Sequence, residues 1–80
     1  MSSDLAASVC EVFASVVGEE PPRGLETTPD DVEGWDSLTH VRVVFALEQE
    51  LDVRLPETVL VGSESLGALV QEIRRALERR

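Results

Sequence analysis

Eighty residues carrying sixteen acids against seven arginines and no lysine leave a formal net charge of −9. A balance that acidic repels nucleic acid and anionic lipid, while one cysteine and one histidine exclude an internal disulfide and a zinc site. No apolar run is long enough to span a bilayer and no basic-then-apolar leader opens the chain, so the expected location is the cytoplasm. The length suits a single domain over 1–80, with a small core worth about 3–5 kcal/mol of net stability.

Ser2 or Ser3 can cap a first helix, and Asp4 suits its opening turn. Leu5, Val9, Val12, Phe13 and Val16 then share one apolar face. Cys10 lies beside Val9 and Phe13 and reads as a small core residue rather than a reactive thiol. Gly18 supplies a left-handed stop.

Residues 19–34 hold Pro21-Pro22, Gly24 and Pro29, which rule out a continuous helix. Thr28-Pro29-Asp30-Asp31 predicts one short turn, with threonine as cap and proline at the first helical position. A connection this long needs its own anchors, and Leu25, Val32 and Trp35 are the candidates. Asp30, Asp31, Glu33 and Asp36 lack calcium-loop spacing, and the glycine and terminal glutamate of such a loop are missing.

A second helix is expected from Ser37 to Leu51 or Asp52. Leu38, Val41 and Phe45 form one apolar row and Val44, Leu47 and Leu51 the next, so Val41, Val44, Phe45, Leu47 and Leu51 are core candidates. Asp36 and Ser37 fall at its first turn, where side-chain oxygens can accept bonds from unpaired backbone amides. Leu55-Pro56 ends the pattern, and Glu57 to Val61, closed by Gly62, predicts a short helix.

Ser65 caps a last helix whose face is Leu66, Leu69, Val70, Ile73, Ala76 and Leu77. Gly67 in its first turn costs about 1 kcal/mol against alanine, so this end is expected to fray. Arg74, Arg75, Arg79 and Arg80 complement the dipole at the other end. The expected fold is all-α, a small antiparallel-type bundle of three main helices plus one short helix, with a long first loop.

Gly34, Asp36, Ser37 and Leu38, followed by Ala46-Leu47-Glu48, Glu50-Leu51 and Pro56, resemble the acyl carrier protein family. In that family a Gly-x-Asp-Ser-Leu motif opens the second helix of a small bundle, and its serine carries 4′-phosphopantetheine. The resemblance implies that Ser37 is the attachment site and that Asp36 is the motif acid that helps a phosphopantetheinyl transferase and its metal. It implies partners: that transferase, an acyl- or aminoacyl-loading enzyme, and downstream synthase or transferase enzymes docking on the second helix. Leu38, His40, Arg42 and Glu48 are the candidate docking residues, with Glu48 in the family's acidic row and His40 expected to be exposed. Val59, Leu60 and Val61 are expected to line a space where cargo rests. A monomer is expected of a molecule that visits several enzymes.

Two features depart from the fatty-acid carriers of that family. Thr39, His40 and Arg42 replace an acidic helix start, and Trp35 before the aspartate is similar to separately encoded carriers of polyketide or nonribosomal-peptide pathways. A hydrolase built on Asp36, Ser37 and His40 lacks a nucleophile elbow, a second base and a water-excluding pocket. The competing non-enzymatic reading is a carrier-like interaction module that docks without bearing the arm.

Overall fold

Four α-helices and two 3₁₀ turns follow one another along residues 2–79, the residues that the computed structural model describes. Helix α1 spans Ser2–Val17, α2 Ser37–Leu51, α3 Glu57–Val61 and α4 Leu66–Glu78, and the 3₁₀ turns are Gly24–Glu26 and Pro29–Asp31. No strand occurs among the described residues, so the expected bundle of three main helices and one short helix is what forms. The side chains of Ser2, Ser3 and Asp4, and Arg80 at the far end, lie outside the described residues, and with them the capping expected at the start of α1.

The helix ends obey local chemistry. Gly18 closes α1 at φ +98°, its N–H donating to the Ala14 carbonyl at 2.9 Å. Asp52 closes α2 in the left-handed region at φ 52°, a conformation that aspartate tolerates better than most non-glycine residues. Ser65 caps α4 by accepting the Ala68 N–H at 3.1 Å.

The core joins faces of all four helices. Val9 and Phe13 of α1, Val43, Val44 and Leu47 of α2, Val59 of α3, and Leu66, Leu69, Val70 and Ile73 of α4 are buried together, with Val32 and Trp35 from the long loop. Cys10 is half-buried against this cluster, and burial, followed by the charge of Glu20, raises its thiol pKa.

Helix α2 is turned differently from the expected arrangement. Its buried residues are His40, Val43, Val44 and Leu47, while Phe45, expected in the core, is 53 % exposed and Leu38 66 % exposed. Val43, Val44 and Phe45 are consecutive and therefore cover an arc wider than one helix face. Both rows have three- and four-residue spacing, and only the elements packed on α2, helices α1 and α3 with Trp35 of the loop, select between them.

The loop between α1 and α2 is held by its own bonds. Arg23 donates its backbone N–H to Thr27 Oγ1 at 2.9 Å and pairs its guanidinium with Asp31 at 3.4 Å. Thr28 donates its N–H at 2.9 Å and its hydroxyl at 3.2 Å to the Asp31 carboxylate, closing the expected turn. Val32 and Trp35 are buried anchors as expected, but Leu25 is 39 % exposed and Thr27 takes the buried place. The Thr27 carbonyl accepts the Leu66 N–H at 2.9 Å, which fastens the loop to the start of α4.

Candidate functional site

The start of α2 is set by two neighbouring side chains that point in opposite directions. Trp35 N–H donates to the Val32 carbonyl at 3.0 Å, a tight turn that sends the indole into the core. There it meets Phe13 edge-on, with centroids 4.9 Å apart and planes at 82°. The next residue, Asp36, is extended at φ −96° and exposed, and begins the helix. Its Oδ1 accepts the Thr39 N–H at 2.9 Å, and its carbonyl accepts the His40 N–H at 2.8 Å. The Thr39 amide bond, reinforced by the Thr39 side chain and more weakly by Arg42, holds the Asp36 carboxyl below its ordinary pKa.

Ser37 is the first helical residue, and it is exposed. The first amides of a helix have no intrahelical acceptor, and the positive end of the helix dipole lies there. A negatively charged ester oxygen beside Ser37 is therefore favoured by position alone. Ser37 also lines a cleft of about 280 Å³ with Pro29, Trp35, Asp36, His40, Val61, Gly62 and Ser63. A larger hollow of about 600 Å³ between α1 and α2 is lined by Ser8, Glu11, Val12, Ser15, Val16, Ala46, Glu50 and Leu51 and does not include the serine.

His40 corrects the expectation made for it. The ring is 3 % exposed and belongs to the interior, so it is not a surface docking contact. Trp35 Nε1–H donates to His40 Nδ1 at 3.1 Å, and His40 Nε2 lies 2.7 Å from the Val59 carbonyl oxygen. An indole N–H only donates and a carbonyl only accepts, which assigns the ring proton to Nε2. Both ring nitrogens are then committed, and none is free to take a proton from Ser37. The hydrolase-like relay lacks its base for that reason.

The other sites fall as follows. Leu38, Arg42 and Phe45 are exposed and follow one another at steps of four and three residues along one side of α2. Glu48 is half-buried, and its Oε2 accepts the Leu55 N–H at 2.8 Å, so this acid holds the loop after α2 in place. Of the three residues expected beside the cargo space, Val59 is buried, Leu60 half-buried and Val61 84 % exposed; Val61 lines the cleft next to Ser37.

The Trp35–His40–Val59 chain is absent from the reading by sequence. A signal existed, since His40, Val44, Leu47 and Leu51 fall on one helical row that points inward. Its weight was hidden because a lone histidine at a helix start is more often solvated.

Among the described residues no group of three or more His, Cys, Asp and Glu could hold a metal ion, and no helix is long and apolar enough to cross a membrane. A family model described as a phosphopantetheine attachment site matches residues 7–73 of the chain.

Proposed function

The chain belongs to the phosphopantetheine attachment-site family of acyl carrier proteins, and from that membership we propose that Ser37 is the residue that carries its arm. A member of this family is a non-catalytic carrier, the substrate of a phosphopantetheinyl transferase and the bearer of covalent 4′-phosphopantetheine. When bound, the arm supplies a terminal thiol on which acyl or aminoacyl groups are held as thioesters.

The observation that carries the assignment is an exposed hydroxyl on the first residue of α2, next to a cleft and at the positive end of a helix. Trp35 and His40, the large side chains on either side of Ser37 in the sequence, both turn inward and leave the approach to Ser37 open. Asp36 has two compatible tasks. It caps α2 through Thr39, and its carboxylate, ionised at neutral pH, is presented beside the hydroxyl that the transferase must reach. The chain's own work is to hold a hydroxyl in reach, to favour an anion there and to present a recognisable helix.

The docking face we assign is Leu38, Arg42 and Phe45 of α2 with Val61 of α3, two exposed apolar patches accompanied by one cation. This suits a partner patch that is apolar with a carboxylate, and it disfavours a strongly basic one. For that reason, and for Trp35, we assign the carrier to a specialised-metabolite pathway of the polyketide or nonribosomal-peptide kind. It acts as a monomeric single domain in the cytoplasm, visiting a loading enzyme and then a synthase or transferase.

Intact mass after incubation with coenzyme A and a broad-specificity phosphopantetheinyl transferase tests the site. One added arm is expected, absent in Ser37→Ala. A folded protein that takes up no arm supports the interaction module instead, and an arm that persists in Ser37→Ala removes Ser37 from its role. Arg42→Glu should slow loading by the cognate enzyme; unaltered loading would show that this charge selects nothing.

A further inference from the structure

The Trp35–His40–Val59 chain crosses the molecule at a telling place. It starts in the loop residue two before Ser37, passes through α2, and ends on a backbone carbonyl of α3. Two walls of the cleft beside Ser37 are thereby tied together, because Trp35 and His40 line one side and Val61, two residues beyond Val59, lines the other. Helix α3 has only five residues and no side-chain cap at its start, so its own hydrogen bonds cannot hold it. It depends on Val59 packing in the core and on this bond from His40.

We propose that Trp35 and His40 are positioning residues that form a proton-sensitive latch, fixing α3 against the start of α2 and so setting the shape of the cleft beside Ser37. The latch requires the neutral ring with its proton on Nε2. A proton added at Nδ1 would face the indole N–H at a separation of 3.1 Å, where two donors meet and no acceptor remains. In the latch the ring then swings away from the indole, and that rotation takes Nε2 off the Val59 carbonyl.

Among the described residues no carboxylate bonds the ring. On α2 and its cap, Asp36 is exposed and bonded to Thr39, Arg42 is exposed and repels a second cation, and Glu48 is bonded to Leu55. Glu57 on α3, Asp30 and Asp31 on the second 3₁₀ turn and Glu11 on α1 are all exposed. Phe13 and Val59 pack in the core around the indole and the ring with hydrocarbon only. Only the uncharged ring, with its proton on Nε2, meets both the indole N–H and the Val59 carbonyl.

The role in shaping the arm's cleft rests on the reading of Ser37 given above, whereas the latch itself is tested on the unmodified chain. The sequence holds one histidine and one tryptophan, so each signal has a single source. Imidazole ¹⁵N shifts at pH 8 should show an unprotonated Nδ1 and a protonated Nε2. On titration from pH 8 to 5, Trp35 fluorescence and the amide shifts of α3 should change together with the histidine. Amide exchange in α3 should quicken about tenfold relative to α4.

His40→Gln keeps an acceptor oxygen and a donor nitrogen without a titrating ring, and should retain the fold while losing the pH response. The proposal is overturned by a proton on Nδ1 at pH 8, by α3 amides that ignore the histidine titration, or by an unchanged pH response in His40→Gln. Should His40→Gln fail to fold, the wild-type titration alone decides. A latch that fails leaves arm loading at Ser37 untouched, and a Ser37 that takes no arm leaves the latch measurements unchanged, so the two failures are told apart.

Discussion

Replacing Gly67 with alanine sets local preference against tertiary packing. By helix preference alone, Gly67→Ala should stabilise α4 by up to about 1 kcal/mol, because alanine loses less backbone entropy on becoming helical. In the folded chain a Cβ at this position would lie 3.0 Å from the Leu25 carbonyl oxygen and 3.5 Å from Leu25 Cβ. The carbonyl would have to retreat by a few tenths of an ångström. It sits in the Gly24–Glu26 turn, which is closed by the Thr27 N–H on the Gly24 carbonyl at 3.2 Å and fastened by the Leu66 N–H on the Thr27 carbonyl at 2.9 Å.

Overpacking against a tethered neighbour costs about 1–3 kcal/mol, so the net expectation is a loss of about 1 kcal/mol. For a domain of this size that lowers the melting temperature by about 4–8 °C, read by circular dichroism at 222 nm. A rise of similar size would refute the reasoning, since it would mean that the loop yields freely and that the glycine is a local weakness with no packing purpose. A conformational origin is already excluded, because Gly67 does not adopt positive φ.

Leu47→Ala removes a fully buried side chain and should cost about 2–5 kcal/mol, a large share of the domain's stability, whereas Phe45→Ala should cost about 1 kcal/mol or less and weaken partner docking instead. Urea titration separates the two, and equal losses would overturn the assigned orientation of α2. Asp36→Asn keeps the oxygen that receives the Thr39 amide and should preserve the helical signal while slowing arm loading about 10–100-fold; unchanged loading would reduce Asp36 to a cap.

Asp31 and Asp36 both have folded pKa values lowered below their ordinary value, chiefly by the amides of Thr28 and Thr39. A lowered folded pKa means that the unfolded chain takes up protons first, so their stabilisation is present above the ordinary value near 3.8 and is lost as pH falls through the depressed values. Asp31→Asn and Asp36→Asn should each lower the melting temperature slightly at pH 7, where the ionised carboxylate contributes, and flatten its fall below about pH 4. A steeper fall in either variant would reverse the sign assigned here.

Much of this protein is written locally. The stop at Gly18, the threonine-capped turn over Pro29–Asp31, the start of α2 after Asp36, the short α3 and the Ser65 cap all depend on residues within a turn of one another, so neighbouring chemistry suffices to specify them. The family resemblance was legible for the same reason, since Gly34, Asp36, Ser37 and Leu38 are adjacent in sequence and in space. The first 3₁₀ turn was not legible, because it depends on Thr27 reaching Arg23 and on a bond to α4.

What the sequence left open was which side of α2 faces inward. Its apolar residues cover more than half a turn, and hydrophobicity alone cannot choose between the row with Phe45 and the row with Leu47. The choice was made by distant partners. Trp35 supplied a donor and Val59 an acceptor at the two ring nitrogens of His40, which lets a polar ring enter the core without an unmet hydrogen bond, and burying it turns Leu38, Arg42 and Phe45 outward. A bond across nineteen residues has no local signature, so only the folded chain could show it.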